Sequence, residues 1–246
     1  MRFTSESRHD DVLERHFRLP ATADEIPGIL WTPAAAAEPV PLILLGHPGG
    51  LSMMHPRLLD RARQTVAGGF AAATIELPGS GDRPRLPDVE KARADLRHAI
   101  SAGDGVDHDI VDRLVLPLVE RAVPEWQSAL DALLGREEIS GRVGYGGGVI
   151  ALGTRMALVE PRIEAALLFA GSFVPNVTLE EARQVNIPLL VLLQWDDEHN
   201  DRQMALNLFD AFGSQEKTLH ANLGGHTGVP HFEGDDANRF FTRHLR

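Results

Sequence analysis

The chain contains no cysteine. That absence excludes a disulfide framework, a thiol nucleophile and any thiolate metal site. Basic residues are also scarce. The 24 Lys and Arg against 35 Asp and Glu leave a formal net charge of −11, which argues against a broad nucleic-acid-binding face, since such a face needs clustered cations. No stretch approaches the ~20 apolar residues that span a bilayer. The opening Met1-Arg2-Phe3-Thr4-Ser5-Glu6 lacks the apolar core of a signal peptide. What is present is an ordinary globular composition, 43% hydrophobic and 24% charged over 246 residues, enough for one sizeable α/β domain. The expectation is a single cytoplasmic domain with no nucleic-acid or membrane partner; a homodimer is left open.

Along the chain, Leu13–Leu19 and Ile26–Thr32 read as an antiparallel hairpin about the polar turn Ala21–Glu25, with Pro20 and Pro33 marking the strand ends. Val40–Leu45 is an unbroken apolar run, as expected of a strand covered on both faces. From there strands and helices alternate. Arg57–Ala67, Pro124–Leu134, Leu152–Val159, Leu179–Val185, Gln203–Phe212 and Asp235–Leu245 have helical character; Phe70–Leu77, Arg142–Tyr145, Ile163–Phe169, Ile187–Leu193 and Lys217–Ala221 have strand character. Such alternation predicts βαβ crossovers and one mostly parallel, doubly wound sheet. The segment 83–123 is mixed. Leu114, Val115, Leu116 and Leu118 within it suit either a small cap lining an acyl pocket or an amphipathic helix packed on the sheet.

Chemistry in such sheets sits on loops at the carboxyl ends of strands. Four stand out. Gly46-His47-Pro48-Gly49-Gly50 is a strand-to-helix turn that can aim backbone N–H groups at an oxyanion, with Gly49 the better donor because Pro48 has none. Tyr145-Gly146-Gly147-Gly148-Val149-Ile150-Ala151 is a glycine-rich bend where a nucleophile elbow would sit, yet G-x-S-x-G is absent. It also lacks the Walker pattern and the dinucleotide fingerprint, so no cofactor is expected. Gln194-Trp195-Asp196-Asp197-Glu198-His199 places acids at a strand end, and Asn222-Leu223-Gly224-Gly225-His226 places a histidine on an exposed turn, where an acid can orient a general base. Met53, Met54, His55 and Trp195 are candidate pocket walls beside these loops, with His47 shaping its own loop. A metallohydrolase built on Asp196, Glu198, His199 and His226 has no tight ligand spacing to support it, and no metal is expected.

The order oxyanion-type loop, elbow-like turn, acid, histidine resembles the α/β-hydrolases, and within them the dienelactone-hydrolase-like esterases. The resemblance rests on Gly46-His47-Pro48-Gly49-Gly50, Leu77-Pro78-Gly79-Ser80-Gly81-Asp82-Arg83, Leu152-Gly153-Thr154-Arg155, Gln194-Trp195-Asp196-Asp197-Glu198 and Gly224-Gly225-His226, and covers nearly the whole chain. It implies an α/β-hydrolase fold with an antiparallel N-terminal hairpin and a small cap, and hydrolysis of esters or lactones. It assigns His226 as base, Asp197 ahead of Asp196 as acid, and Gly49 and Leu152 as oxyanion donors. Anchored on Gly153-Thr154-Arg155, the nucleophile position falls on Ala151, where serine is expected. Three explanations stand: a serine hydrolase whose nucleophile was exchanged for alanine, so that it traps substrate, which is favoured; a natural non-catalytic relative; or another register, with Thr154, Ser52 or Ser172 serving.

Overall fold

The computed structural model describes residues 1–20, 24–103, 105–171, 173–198 and 200–246. Ser172, His199, Asp104 and most of the turn at 21–25 therefore lie outside the described residues.

Nine strands form one sheet in the order β1-β2-β3-β5-β4-β6-β7-β8-β9. The first three, β1 (Arg2–His9), β2 (Val12–Pro20) and β3 (Glu25–Pro33), are antiparallel. The remainder, β4 (Val40–Gly46), β5 (Ala71–Ile75), β6 (Ile139–Gly147), β7 (Ile163–Phe169), β8 (Leu189–Gln194) and β9 (Lys217–Asn222), run parallel to one another. The expected hairpin is β2–β3. The additional strand β1 is almost wholly solvent-exposed, and its polar run RFTSESRH carries no buried face to betray it: an edge strand needs only backbone pairing.

Both faces of the parallel region are covered. Leu42 and Leu44 of β4 pack into one cluster with helix residues Val115, Val119, Trp126, Ala151 and Leu152, while Ile43 and Leu45 pack into a second with Leu58, Ala62, Val66 and Phe241. Alternation along a strand buried on both sides explains the unbroken apolar run. The second face belongs to α1 (Leu51–Ala67) and α7 (Phe232–Leu245). The first carries α3 (His108–Leu134), α4 (Ile150–Val159), α5 (Asn176–Ala182) and α6 (Arg202–Ala211), with α2 (Pro87–Ala102) against α3. Helix α3 runs unbroken through Pro117 and Pro124. Pro124 therefore lies inside a helix whose inward face, Val111, Val115, Val119, Ala122 and Trp126, is long enough to outweigh two lost N–H donors. Segment 83–123 is thus mostly α2 and the first half of α3, with α2 packed on α3.

Between β6 and α4 the backbone reverses through Gly147 (φ +78°) and Gly148 (φ +81°). A Cβ at Gly148 would lie 2.8 Å from the Gly46 backbone and 2.9 Å from His47 N; one at Gly147 would lie 2.6 Å from the Phe169 ring. Only glycine combines that φ with that proximity. Gly148→Ala should therefore cost about 2–3 kcal/mol or more, lowering Tm on the order of 5 °C in a thermal melt; an unchanged Tm would show that the bend has slack.

Candidate functional site

Strand β8 ends at Gln194, and the next residues part ways. The Asp196 carboxylate accepts the backbone N–H of Gly224 (2.9 Å) and Gly225 (2.9 Å); bonds to Gly225 and Gly224 hold that carboxyl below its ordinary range. Asp197 is buried, and its Oδ2 lies 2.7 Å from Nδ1 of His226. Asn200 Nδ2 donates to the same Asp197 oxygen, and Gln194 Nε2 donates to Gly225 O at 3.1 Å. The two adjacent acids thus divide the work: Asp196 and Gln194 clamp the loop, and Asp197 meets the ring. Gly224 and Gly225 at φ +139° and +67° let that loop turn back toward the strand end.

His226 borders a cavity of about 690 Å³ between α1, α7 and the carboxyl ends of β4, β6, β7 and β8. Gly46, His47, Pro48, Gly146 and Gly148 line its upper part. His47 is buried and its Nε2 donates to Ile75 O at 2.8 Å; burial lowers its pKa, so the ring is a neutral tie between the loop and β5. Arg61 of α1 also lines the cavity. Its guanidinium donates to Gly46 O (2.9 Å) and Gly146 O (2.7 Å), joining the ends of β4 and β6, and faces the Phe169 ring at 5.5 Å. Burial pulls it down to about 10, which leaves it a cation at neutral pH.

Several expected residues lie elsewhere. Ala151 is the second residue of α4, 1% exposed, and packs into the cluster on the α3 face, whereas the cavity lies on the α1–α7 face. The left-handed bend is at Gly147–Gly148, about one helical turn before Ala151. Leu152 is the third residue of α4, buried on the same face as Ala151; its N–H falls in the first turn, where no intrahelical acceptor exists. Gly49 is half-buried just before α1 and outside the cavity lining. Of the two methionines expected at the pocket wall, Met53 is 73% exposed and Met54 lines the cavity, because a helix turns 100° between successive residues. Trp195 is 43% exposed, stacked under the Arg202 guanidinium at 4.2 Å, and does not line the cavity. His55 points at Glu14, at 3.1 Å, rather than at the cavity. Thr154 is buried within α4 and Ser52 is exposed on α1; neither hydroxyl lines the cavity. Leu114, Val115, Leu116 and Leu118 do not line it either.

Arg61 and Thr227 are cavity residues that sequence reasoning missed. For Arg61 a signal existed: it falls three residues after buried Leu58 and beside buried Ala62, a charge on an otherwise apolar helical stripe. Thr227 had no signal beyond its place after His226.

No protein-family model matches the chain, and no curated protein matches it. Solved structures do. A cold-adapted esterase from an Arctic intertidal metagenomic library is 27% identical over 100% of both chains, with a TM-score of 0.77. An acetyl xylan esterase from Paenibacillus sp. R4 is 15% identical over 99% of this chain and 87% of its own, TM-score 0.66. A dienelactone hydrolase from Anabaena variabilis is 18% identical over 96% of this chain and 100% of its own, TM-score 0.64. With its sheet order, its helices on both faces and these neighbours, the chain has the α/β-hydrolase fold in its dienelactone-hydrolase-like form.

Proposed function

We propose that the protein hydrolyses small-molecule carboxylic esters or lactones through the Asp197–His226 pair acting as general base on water, without an acyl-enzyme. The observation that carries this reading is the 2.7 Å contact between Asp197 Oδ2 and His226 Nδ1, at a strand end, beside a cavity whose glycine bend bears no side chain. The esterase and dienelactone hydrolase neighbours support the reaction class.

In this reading Asp197 accepts the Nδ1 proton, fixing the tautomer in which Nε2 is the unprotonated nitrogen that takes a proton from water. The resulting hydroxide attacks the acyl carbon. The carbonyl oxygen gains the negative charge, and a single backbone N–H aimed at it is typically worth about 3 kcal/mol. Collapse of the tetrahedral species expels the alkoxide, which takes the proton held by His226, giving acid and alcohol and restoring the neutral ring. Arg61, a cation in the cavity wall of a chain with net charge −11, favours substrates that carry a carboxylate.

A second reading retains the acyl-enzyme and takes Ala151 as a replaced serine, so that the site binds an ester without turning it over. The spacing Ala151-Leu152-Gly153-Thr154-Arg155 favours it; the burial of Ala151 on the opposite face of the sheet weighs against it. A third reading, a non-catalytic binding protein on this fold, predicts no turnover dependent on His226.

On short p-nitrophenyl esters and simple lactones, His226→Ala should lower kcat about 100-fold, and Asp197→Asn at least about 10-fold, in folded protein. Turnover that is absent, or indifferent to His226, overturns this reading in favour of one of the other two, which the next variant separates. Ala151→Ser should leave kcat within about 2-fold of the parent, because serine at this buried position has no path to His226. A large gain accompanied by fluorophosphonate labelling would transfer the function to the acyl-enzyme route.

A further inference from the structure

A second cluster of ionisable groups lies away from the cavity, where β2 meets α1. Its centre is Glu14, 3% exposed. Its Oε2 accepts the indole N–H of fully buried Trp31 at 2.7 Å. Three imidazoles surround the same carboxylate. His16 Nε2 is 2.9 Å from Oε1, His55 Nε2 is 3.1 Å from both oxygens, and His9 Nε2 is 3.7 Å from Oε2. Among the described residues, only histidines form ion pairs with this carboxylate; no Lys or Arg does.

The elements explain the convergence. Glu14 and His16 are two apart on β2 and so share a face, the face that carries Val12 into the α1-side cluster. His55 comes from the first turns of α1 and lies near His16, ring centroids 6.2 Å apart. His9 ends β1 at the hairpin, in register with Val12.

We propose that Glu14, His16 and His55, joined by His9, form a binding site for one divalent transition-metal ion, zinc above all. The donor set is imidazole nitrogen and carboxylate oxygen without thiolate, which suits zinc and its neighbours rather than calcium or magnesium. The spacing also suits it. The ligand atoms of Glu14, His16 and His55 lie within 4.8 Å of one another. Bonds of ~2.0–2.1 Å in a tetrahedral site put ligand atoms about 3.3 Å apart, so the contacts of His16 and His55 with the carboxylate need to open by only a few tenths of an ångström. The ion would replace the protons that two imidazoles now direct at the carboxylate. Trp31 supplies the outer hydrogen bond that fixes the carboxylate, as is usual behind metal ligands. Such an ion would clip the β1–β2 hairpin to α1, independently of the hydrolytic reading.

The second cluster able to hold an ion, His220, Glu233 and Asp236, offers one imidazole, and its Glu233 is already bonded to Asn222 at 2.7 Å. It serves as the internal control. The test is titration of the EDTA-treated full chain with Zn²⁺ alone by calorimetry and thermal melt, with Co²⁺ absorption as a second readout. One equivalent should bind, raise Tm and give a four-coordinate Co²⁺ spectrum. His16→Ala and His55→Ala should each weaken binding at least about 10-fold, and together abolish it, while His220→Ala leaves it intact. Melts in EDTA establish that each variant is folded; His16→Gln and His55→Gln replace any alanine variant that is not. Absence of saturable binding, binding that survives the double substitution, or loss of binding in His220→Ala each overturns the proposal.

Discussion

The close approach of the β6–α4 bend to the end of β4 governs the rest of the site. At Gly148 the backbone passes so near Gly46 and His47 that a Cβ would stand 2.8 Å from backbone atoms, a separation that real side chains do not reach. Three consequences follow from this one contact. The bend carries no side chain, hence no hydroxyl. The carbonyl oxygens of Gly46 and Gly146 are brought within reach of a single guanidinium, which Arg61 supplies from α1. And the space left beneath the bend becomes part of a cavity that His226 borders. Arg61 satisfies strand-end acceptors that would otherwise be buried at a cost, while its charge faces the cavity.

The opposite wall is organised by two adjacent acids with separate tasks. Asp196 holds the loop through Gly224 and Gly225, and Asp197, buried, holds the ring. A buried carboxylate is costly unless paired. That cost keeps Asp197 on His226 and gives the imidazole a defined orientation on a loop that would otherwise be mobile. In the proposed reaction this pair, at a strand end opposite a turn without a side chain, supplies the proton transfer and water supplies the oxygen.

The parts that were legible in the sequence are those where a single residue type or period decides the structure. The parallel strands declare themselves because burial on both faces removes all polar residues from Val40–Leu45 and Ile187–Leu193. Asp197 and His226 are found by chain order and by the glycines beside them. The edge strand β1 is hidden because backbone pairing leaves no side-chain period. Helix α3 is hidden in part because Pro124 mimics a helix start. The register of the bend is the hardest to read: three successive glycines carry no side-chain information, so the nearest recognisable residues, Gly153-Thr154-Arg155, set the frame, and they sit one turn into α4. The Glu14 cluster is hidden because its members come from β1, β2 and α1 and meet only in the fold.

The proposed hydrolysis without an acylated protein is tested most directly by quenching turnover of a short activated ester on the millisecond scale and weighing the intact protein. The account predicts product formed at a rate dependent on His226 with no species heavier by one acyl group and no burst. An acyl adduct that forms and decays at the turnover rate, whether on Thr227, Thr154 or any other hydroxyl, would contradict it.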